Sequence, residues 1–375
     1  MEEMNTQSTP SHKKGYWTLR FDWYRLIFAA IVIFTVFTRF YSLGYRPYDH
    51  DESLAATCSW YVYEGRGYEY NPLMHGPFIH YFDALLFHLF GPGDYVARAS
   101  SALFGLALVC CAVLFRRRLG KAGSLIAAAL FAVSPIFMYF SRLFRDDIFV
   151  SFWAFLTIAL FLNYLDTRKR GYLFGSAASF ALVFCVKENS YVFLFIFTSF
   201  WAFMKVFERL FPPDRKFSPT EPELSRRLQL ADVSIAIIIF FSVFFIFFTS
   251  FFSNPGGFWD GLYRKSLGYW LHQDKIQRMK GAFTYYCPLA IVYELPLIVI
   301  LFSGLVGLLK QRRLSKIVLI AGSVTAIPLM IFWHRSLPTE PWDTRFHMTS
   351  TLHLVFALYI FALLFAATCD YLRDG

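Results

Sequence analysis

The first group of residues that could do chemistry follows the first apolar stretch of the sequence, where Asp49, His50, Asp51 and Glu52 stand in a row. Three carboxylates and an imidazole close to a membrane surface could include a general base for a lipid-borne substrate. The acidic residues could equally cap a short interfacial helix over 53–63, because a helix N-terminus favours negative charge. The spacing leaves both roles open, and they are compatible. We take Asp51 and Glu52 as catalytic candidates.

Two further charged groups stand at the ends of apolar stretches. A short turn contains two arginines, Arg142 and Arg145, and two aspartates, Asp146 and Asp147. One of these carboxylates could take a second acidic role while an arginine, for which we take Arg142, binds an anion. The same side chains could instead pair with one another and anchor two helices. Lys187 and Glu188 offer a similar choice, between a phosphate-binding lysine with an acidic neighbour and a structural ion pair.

A third group combines rings with polar side chains, as a sugar-binding site does. Most of the rings could equally belong to the aromatic belt at a membrane surface. After His75, the segment 78–90 is apolar enough to lie in the interface as an amphipathic helix. The substrate-binding candidates in this group are His75, Trp270, Gln273, Arg278, Tyr285 and Tyr286.

Histidine and carboxylate side chains between residues 50 and 80 could also hold a divalent metal. The ligands would come from His50, Asp51, His75 and His80. Their spacing is not diagnostic of any metal site. We therefore expect no cofactor and assign no residue as a metal ligand.

The composition is that of a membrane protein. Of the 375 residues, 57% are hydrophobic and only 17% are charged, against about 25% in a soluble domain. The apolar stretches are continuous and not alternating, which predicts helices instead of a porin-type barrel. A soluble enzyme, a nucleic-acid reader and a disordered scaffold are excluded. We predict an all-α polytopic bundle of about ten spans, at 26–41, 95–115, 122–140, 148–165, 172–186, 190–206, 231–252, 288–309, 317–333 and 350–368.

The net charge of +10 reflects where the basic residues fall between the predicted spans. With the N-terminus in the cytoplasm, 22 of the 36 basic residues lie on the inner side, which is the positive-inside pattern. Three long polar segments, 42–94, 253–287 and 334–349, then lie outside. We therefore expect a multi-pass cell-membrane protein whose site faces the extracytoplasmic side.

The predicted spans fall into two groups. Residues 1–25 form a cytoplasmic tail, and residues 26–206 form a catalytic membrane module. Residues 207–230 are rich in proline and charge, which predicts a flexible cytoplasmic linker. The linker leads to a second membrane bundle, residues 231–375.

Short motifs, taken in order along the chain, resemble those of a known superfamily. The first set is Arg39-x-Tyr41-x-Leu43-Gly44, Pro47-x-x-x-Asp51-Glu52, His75-Gly76-Pro77, Gly91 and Arg98. It resembles the GT-C superfamily of membrane glycosyltransferases, which includes protein mannosyltransferases and lipid A aminoarabinose transferases. A second set resembles more closely the archaeal and bacterial family named flippase-activity-associated, and consists of Lys187-Glu188, Asn254-Pro255, Tyr269-Trp270-x-x-Gln273, Arg278, Tyr285-Tyr286 and Tyr293-Glu294-x-Pro296.

The resemblance implies a GT-C-type helical fold and an inverting glycosyltransferase. Such an enzyme takes a sugar from a polyprenyl-phosphate carrier and transfers it to a lipid, glycan or protein acceptor. The resemblance further implies that Asp51 is the catalytic base and that Asp146 or Asp147 is the second acidic position.

In that chemistry a cation stabilises the departing lipid phosphate, and the candidates are Arg142, Lys187 and Arg278. The alternative function is a non-catalytic, sugar-lipid-binding component of a flippase for lipid-linked oligosaccharides. A flippase needs polar groups that continue to the inner face of the membrane. The inner halves of the predicted spans are almost wholly apolar, which favours the enzyme.

Overall fold

The computed structural model describes residues 22–195, 198–199 and 230–273. Within these ranges the chain is helical, and an isolated β-bridge joins Asn71 and His75. The prediction of an all-α membrane protein is confirmed. Residues 1–21 of the predicted tail, residues 196–197 and 200–206 of the predicted span 190–206, nearly all of the predicted linker, the last three predicted spans and the outer segment 334–349 lie outside the described residues.

Long apolar helices and shorter connecting helices make up the described chain. In chain order they are α1 (Trp23–Phe40), α2 (His50–Tyr63), α3 (Phe78–Phe90), α4 (Asp94–Cys111), α5 (Arg116–Val133), α6 (Pro135–Phe140), α7 (Asp146–Thr167), α8 (Arg170–Val186), α9 (Leu230–Phe248) and α10 (Leu267–Gln273). A 3₁₀ turn, Ala112–Phe115, joins α4 to α5. A short helix, Gly257–Trp259, and a π-helical turn, Asp260–Arg264, precede α10.

Several helices of the described chain have the length and composition of membrane spans. They are α1, the run from α4 to α5, α7 and α9, and the shorter helices α3 and α8 are apolar as well. α1 occupies 23–40 where the sequence predicts 26–41, and α7 occupies 146–167 where it predicts 148–165. This is a multi-pass membrane protein.

Two local breaks shape the α4–α6 region. Gly120 has a φ of 69°, a left-handed conformation that glycine adopts without a steric cost, and it interrupts the helix where a loop between two spans is predicted. The next predicted span is shorter than expected and ends at Val133. The reason is Pro135, which lacks an N–H for the preceding turn and starts α6 instead. Ser134 caps this new helix by accepting a hydrogen bond from the Phe137 N–H.

Aromatic side chains hold α3, α4 and α7 together. The ring centroids of Phe104 and Phe149 lie 4.5 Å apart, and Phe78 meets Trp153 edge-on at 5.6 Å. Such pairs contribute about 0.5–1.5 kcal/mol each beyond the burial of the rings. Because Phe78 is the first residue of α3, this core fixes the start of α3 and the loop that precedes it.

Gly76 lets that loop lie directly against the end of α8. Its N–H donates to the Val186 carbonyl oxygen at 2.9 Å, and a Cβ at this position would clash with the Cys185 carbonyl group. A side chain does not fit here. The close approach places His75 beside Lys187 and Glu188.

Candidate functional site

Helix α2 begins with a capping box. The Asp49 carboxylate accepts a hydrogen bond from the Glu52 N–H at 2.8 Å, and the Glu52 carboxylate accepts one from the Asp49 N–H at 3.2 Å. Asp49 and Glu52 therefore form the helix cap that the sequence left open. The cap does not use the Asp51 side chain, which is exposed.

The Glu52 carboxylate is fully buried and heavily hydrogen-bonded. Arg98 binds both of its oxygens, at 2.7 and 2.8 Å, and Arg46 donates to it at 2.9 Å. The Phe144 N–H donates to it at 2.9 Å. Burial by itself raises the pKa of a carboxyl, but the hydrogen bonds from Arg98 and the backbone hold the pKa of Glu52 below its usual range. Glu52 thus joins α2, α4 and the turn before α7 as an ionised group, shielded from any acceptor hydroxyl.

Asp51 is the accessible carboxylate at the start of α2, with 52% of its side chain exposed. Arg145 Nη1 lies 2.8 Å from Asp51 Oδ2, and Arg145 Nε lies 3.7 Å from Asp147 Oδ2. Arg145 therefore connects the N-terminus of α2 to the N-terminus of α7. Asp51 is placed where a base could meet a substrate, and a cation already lies beside it.

Lys187 lies just after α8 and pairs with both carboxylates at the start of α7. Its Nζ lies 2.8 Å from Asp147 Oδ1 and also contacts the Asp146 carboxylate. Burial alone lowers the pKa of a lysine, but these two carboxylates raise the pKa of Lys187 above its ordinary value. The ammonium group is therefore a fixed positive charge.

Glu188 holds two groups from the loop before α3. Its carboxylate accepts a hydrogen bond from the Tyr70 hydroxyl, and it lies 2.7 Å from His75 Nδ1. The His75 carbonyl oxygen in turn accepts a hydrogen bond from the Tyr68 hydroxyl at 2.8 Å. Burial lowers the pKa of a histidine, but the hydrogen bond to Glu188 and nearby carboxylates raise the pKa of His75 above its ordinary value.

These contacts place a set of polar side chains at one end of α2, α7 and α8, which we call the polar belt. The structure brings together six of the predicted site residues, from segments far apart in the sequence. Two further members come from its contacts alone. The polar belt consists of Asp51, Tyr70, His75, Arg145, Asp146, Asp147, Lys187 and Glu188.

Arg142 does not join the polar belt. Its Nη1 donates to the carbonyl oxygens of Thr38 and Arg39, at 2.8 and 3.2 Å. These carbonyls belong to the last turn of α1, where a cation is favoured by the helix dipole. The geometry favours the anchoring role that the sequence left open, in place of an anion-binding role.

Sequence reasoning named Arg145 as part of the turn but not as a site residue, and it did not name Tyr70. Arg145 directly precedes two aspartates, which indicates an ion pair. The sequence does not show whether its partner lies within the turn or in another segment. Tyr70 carried no signal, since it lies in an irregular loop whose path is set by contacts with α8.

The predicted sugar-binding group is described only in part. Trp270 and Gln273 lie on α10, whereas Arg278, Tyr285 and Tyr286 lie outside the described residues. The segment before α10 is held next to the polar belt. Lys265 Nζ lies 2.8 Å from the Glu69 carboxylate, and the Tyr191 hydroxyl donates to the Leu262 carbonyl oxygen.

The side chains considered as metal ligands are not grouped. His75 contacts Glu188, whereas His80 is buried and lies within hydrogen-bond distance of the Ser59 hydroxyl and the Met74 carbonyl oxygen. Within residues 22–195, 198–199 and 230–273, no three His, Cys, Asp or Glu side chains lie together as a ligand set.

Comparisons with known proteins show which fold carries the polar belt. The family model described as dolichyl-phosphate-mannose-protein mannosyltransferase matches residues 74–212. The crystal structure of ArnT from Cupriavidus metallidurans bound to undecaprenyl phosphate matches 90% of this chain, with a TM-score of 0.57 and 18% sequence identity. This is the GT-C fold. The resemblance of the sequence motifs to the GT-C superfamily is thereby confirmed.

A second similar structure is that of the S. cerevisiae protein O-mannosyltransferase Pmt1-Pmt2 complex bound to the sugar donor. It matches 64% of this chain with a TM-score of 0.49 and 17% identity. The chain covers 35% of the yeast chain and 60% of the ArnT chain, so it spans less than two thirds of either. No curated protein matches the sequence. The closer likeness to the flippase-activity-associated family stays a prediction.

We expect the thermal stability of this GT-C protein to fall as the pH rises through the raised pKa of His75. Folding raises this pKa above the ordinary 6.5, so the ion pair with Glu188 stabilises the fold fully below that pH and progressively less above it. The measurement is the melting temperature from about pH 5 to about pH 9. His75→Asn is the control, because asparagine does not titrate and tolerates the φ of 62° found here. An equal decline in both proteins would contradict the assignment.

Proposed function

We propose that the protein is an inverting glycosyltransferase that moves a sugar from a polyprenyl-phosphate carrier to a hydroxyl group of a lipid, glycan or protein acceptor. The observation that carries the proposal is the position of Asp51. It is an accessible carboxylate in a GT-C fold, 2.8 Å from Arg145, and Arg145 also contacts Asp147, the partner of Lys187. Transfer from a phosphate-linked sugar needs a base and cations side by side.

The reaction is a displacement at the anomeric carbon, C1, of the donor sugar. The acceptor oxygen attacks C1 from the face opposite the phosphate while Asp51 takes the hydroxyl proton. The bond between C1 and the phosphate oxygen breaks, and its electron pair stays on the phosphate. The products are the glycosylated acceptor, with inverted configuration at C1, and the polyprenyl phosphate. Because the phosphate leaves as an anion, no general acid is needed.

The other polar-belt residues supply charge and position. Lys187, held between Asp146 and Asp147, offers a fixed cation to the departing phosphate. Proton abstraction by a positioned base contributes about 10²- to 10⁴-fold in rate. Fixed groups that stabilise developing charge contribute about 10²- to 10³-fold each. Together the two terms amount to about 10⁴- to 10⁷-fold from the side chains of the polar belt.

Glu52 takes a positioning role in this mechanism instead of the catalytic role expected from its place beside Asp51. Its oxygens are occupied by Arg98, Arg46 and backbone N–H groups, so it cannot receive an acceptor proton. By joining α2 to the turn before α7, it sets the distance between Asp51 and the start of α7.

Two observations support the donor class and the side of the membrane. The ArnT structure with the same fold contains undecaprenyl phosphate, a polyprenyl phosphate. The distribution of basic residues supports a cytoplasmic N-terminus and an extracytoplasmic polar belt. We therefore propose that the sugar is transferred at the outer face.

The proposal is tested by identifying the lipid that copurifies with the protein and then assaying transfer. Mass spectrometry of the extracted lipid is expected to show a polyprenyl phosphate, with or without a sugar. With that sugar lipid as donor, glycosylated acceptor and free polyprenyl phosphate should appear in equal amounts. A bound sugar lipid that is never turned over would support the alternative of a non-catalytic flippase component. Absence of any polyprenyl lipid would refute both functions.

A further inference from the structure

Around the start of α2 and the start of α7, most cations in the described part of the chain are already bound to buried or backbone groups. Arg98 and Arg46 bind the buried Glu52 carboxylate. Arg142 donates to the carbonyls at the end of α1, and Lys187, only 19% exposed, is held between two carboxylates. If any of these cations left its partners, a buried charge would be unpaired or a backbone carbonyl would lose its hydrogen bond, and both are costly.

Arg145 is bound differently. Its side chain is 32% exposed, and it contacts the carboxylates of Asp51 and Asp147, which are 52% and 31% exposed. Ion pairs with this degree of exposure are weak, because water solvates both partners after separation. Arg145 can therefore exchange partners at small cost, and one of its present partners is the proposed base.

We propose that the phosphate of the donor competes with Asp51 for Arg145, so that donor binding releases the Asp51 carboxylate to act as the base. This inference rests on the proposed function. It gives Arg145 a part both in donor binding and in the activation of the base. Before the donor binds, the base is held by the arginine. After it binds, the arginine faces the phosphate.

The exchange is favoured by the chemistry of the groups involved. A guanidinium fork binds phosphate through two parallel charge-assisted hydrogen bonds, whereas the contact between Arg145 and Asp51 is formed by one nitrogen, Nη1, at 2.8 Å. A carboxylate that has lost its cation holds a proton more tightly, which makes it a stronger base. Asp147, the second partner of Arg145, stays in place and keeps the guanidinium group near the start of α7.

The test is a double-mutant cycle on the binding of undecaprenyl phosphate in detergent micelles. Asp51→Asn removes the competitor and should tighten binding by about 3- to 10-fold. Arg145→Gln removes the shared cation and should weaken binding by about 10-fold or more. In the Arg145→Gln background, Asp51→Asn should no longer change the dissociation constant.

Matched variants keep these results interpretable. Arg142→Gln removes a neighbouring arginine that binds α1, and its dissociation constant should equal that of the wild type. Arg145→Lys keeps a positive charge. In this background, Asp51→Asn should still tighten the binding of undecaprenyl phosphate, but by less than in the wild type. Melting temperatures measured on the same preparations identify any variant that does not fold.

Two outcomes overturn the competition alone. Equal tightening by Asp51→Asn with and without Arg145 would show a general effect of removing negative charge. Unchanged binding in the Asp51→Asn variant would show that the carboxylate and the phosphate do not share the arginine. A wild-type protein that binds no undecaprenyl phosphate would instead refute the donor class, and with it both proposals.

Discussion

Asp51→Asn is expected to lower the rate of sugar transfer by about 10²- to 10⁴-fold, the contribution of positioned proton abstraction. Asparagine keeps the size of the side chain, but its amide cannot take the proton of the acceptor hydroxyl. Donor binding is expected to tighten, because the substitution removes a carboxylate that competes for Arg145 and removes no cation. The measurement is the initial rate at which polyprenyl phosphate is released from a polyprenyl-phosphate sugar at saturating donor.

Asp166→Asn is the matched control for this substitution. Asp166 also pairs with an arginine, with 2.8 Å between its Oδ1 and Arg118 Nη2, but at the opposite end of α7. We expect normal transfer from this variant. Near wild-type turnover in Asp51→Asn would contradict the assignment of Asp51 as the base. A comparable loss of transfer rate in Asp166→Asn would indicate damage to α7 instead of the loss of a catalytic group.

The long helices could be predicted from the sequence because the length and continuous apolarity of a segment indicate a membrane span. α1 and α7 begin and end within about three residues of their predicted bounds, an ordinary uncertainty for helix ends. The exception is instructive. Hydropathy continues through Ser134 and Pro135, so a prediction based on apolarity passed over the break that the proline ring imposes.

Six members of the polar belt could be proposed as site residues from the sequence, but not Arg145 or Tyr70, and not the contacts that bring the members together. Lys187 and Asp147 are 40 positions apart, and Tyr70 and Glu188 are 118 apart. No local spacing rule connects residues at such separations. The pairings depend on close contacts such as the one that Gly76 permits between the loop and α8.

Two arginines in one turn show the same limit at short range. Arg142 and Arg145 lie three residues apart and have the same chemistry, yet one binds the end of α1 and the other binds Asp51. Likewise Asp51 and Glu52 are neighbours in sequence, and the winding of α2 sends one side chain to the surface and the other into the core.

Glu52→Gln is expected to destabilise the fold strongly while sparing the chemistry of molecules that stay folded. The substitution keeps the shape of the side chain but removes the negative charge that Arg98 faces in the interior. Breaking a buried ion pair from one side typically costs about 3–5 kcal/mol, because the remaining charge is left uncompensated. The measurements are the melting temperature and the transfer rate per folded molecule.

A catalytic Glu52 would give the opposite pattern, a normal melting temperature with a rate reduced as strongly as in Asp51→Asn. Arg98→Gln should reproduce the instability, since Arg98 also donates to the carbonyl oxygens of the loop before α2. The double variant Glu52→Gln/Arg98→Gln should cost less than the sum of the single changes, because each removes the partner of the other. Glu64→Gln, at the exposed end of α2, is the control and should leave both quantities unchanged.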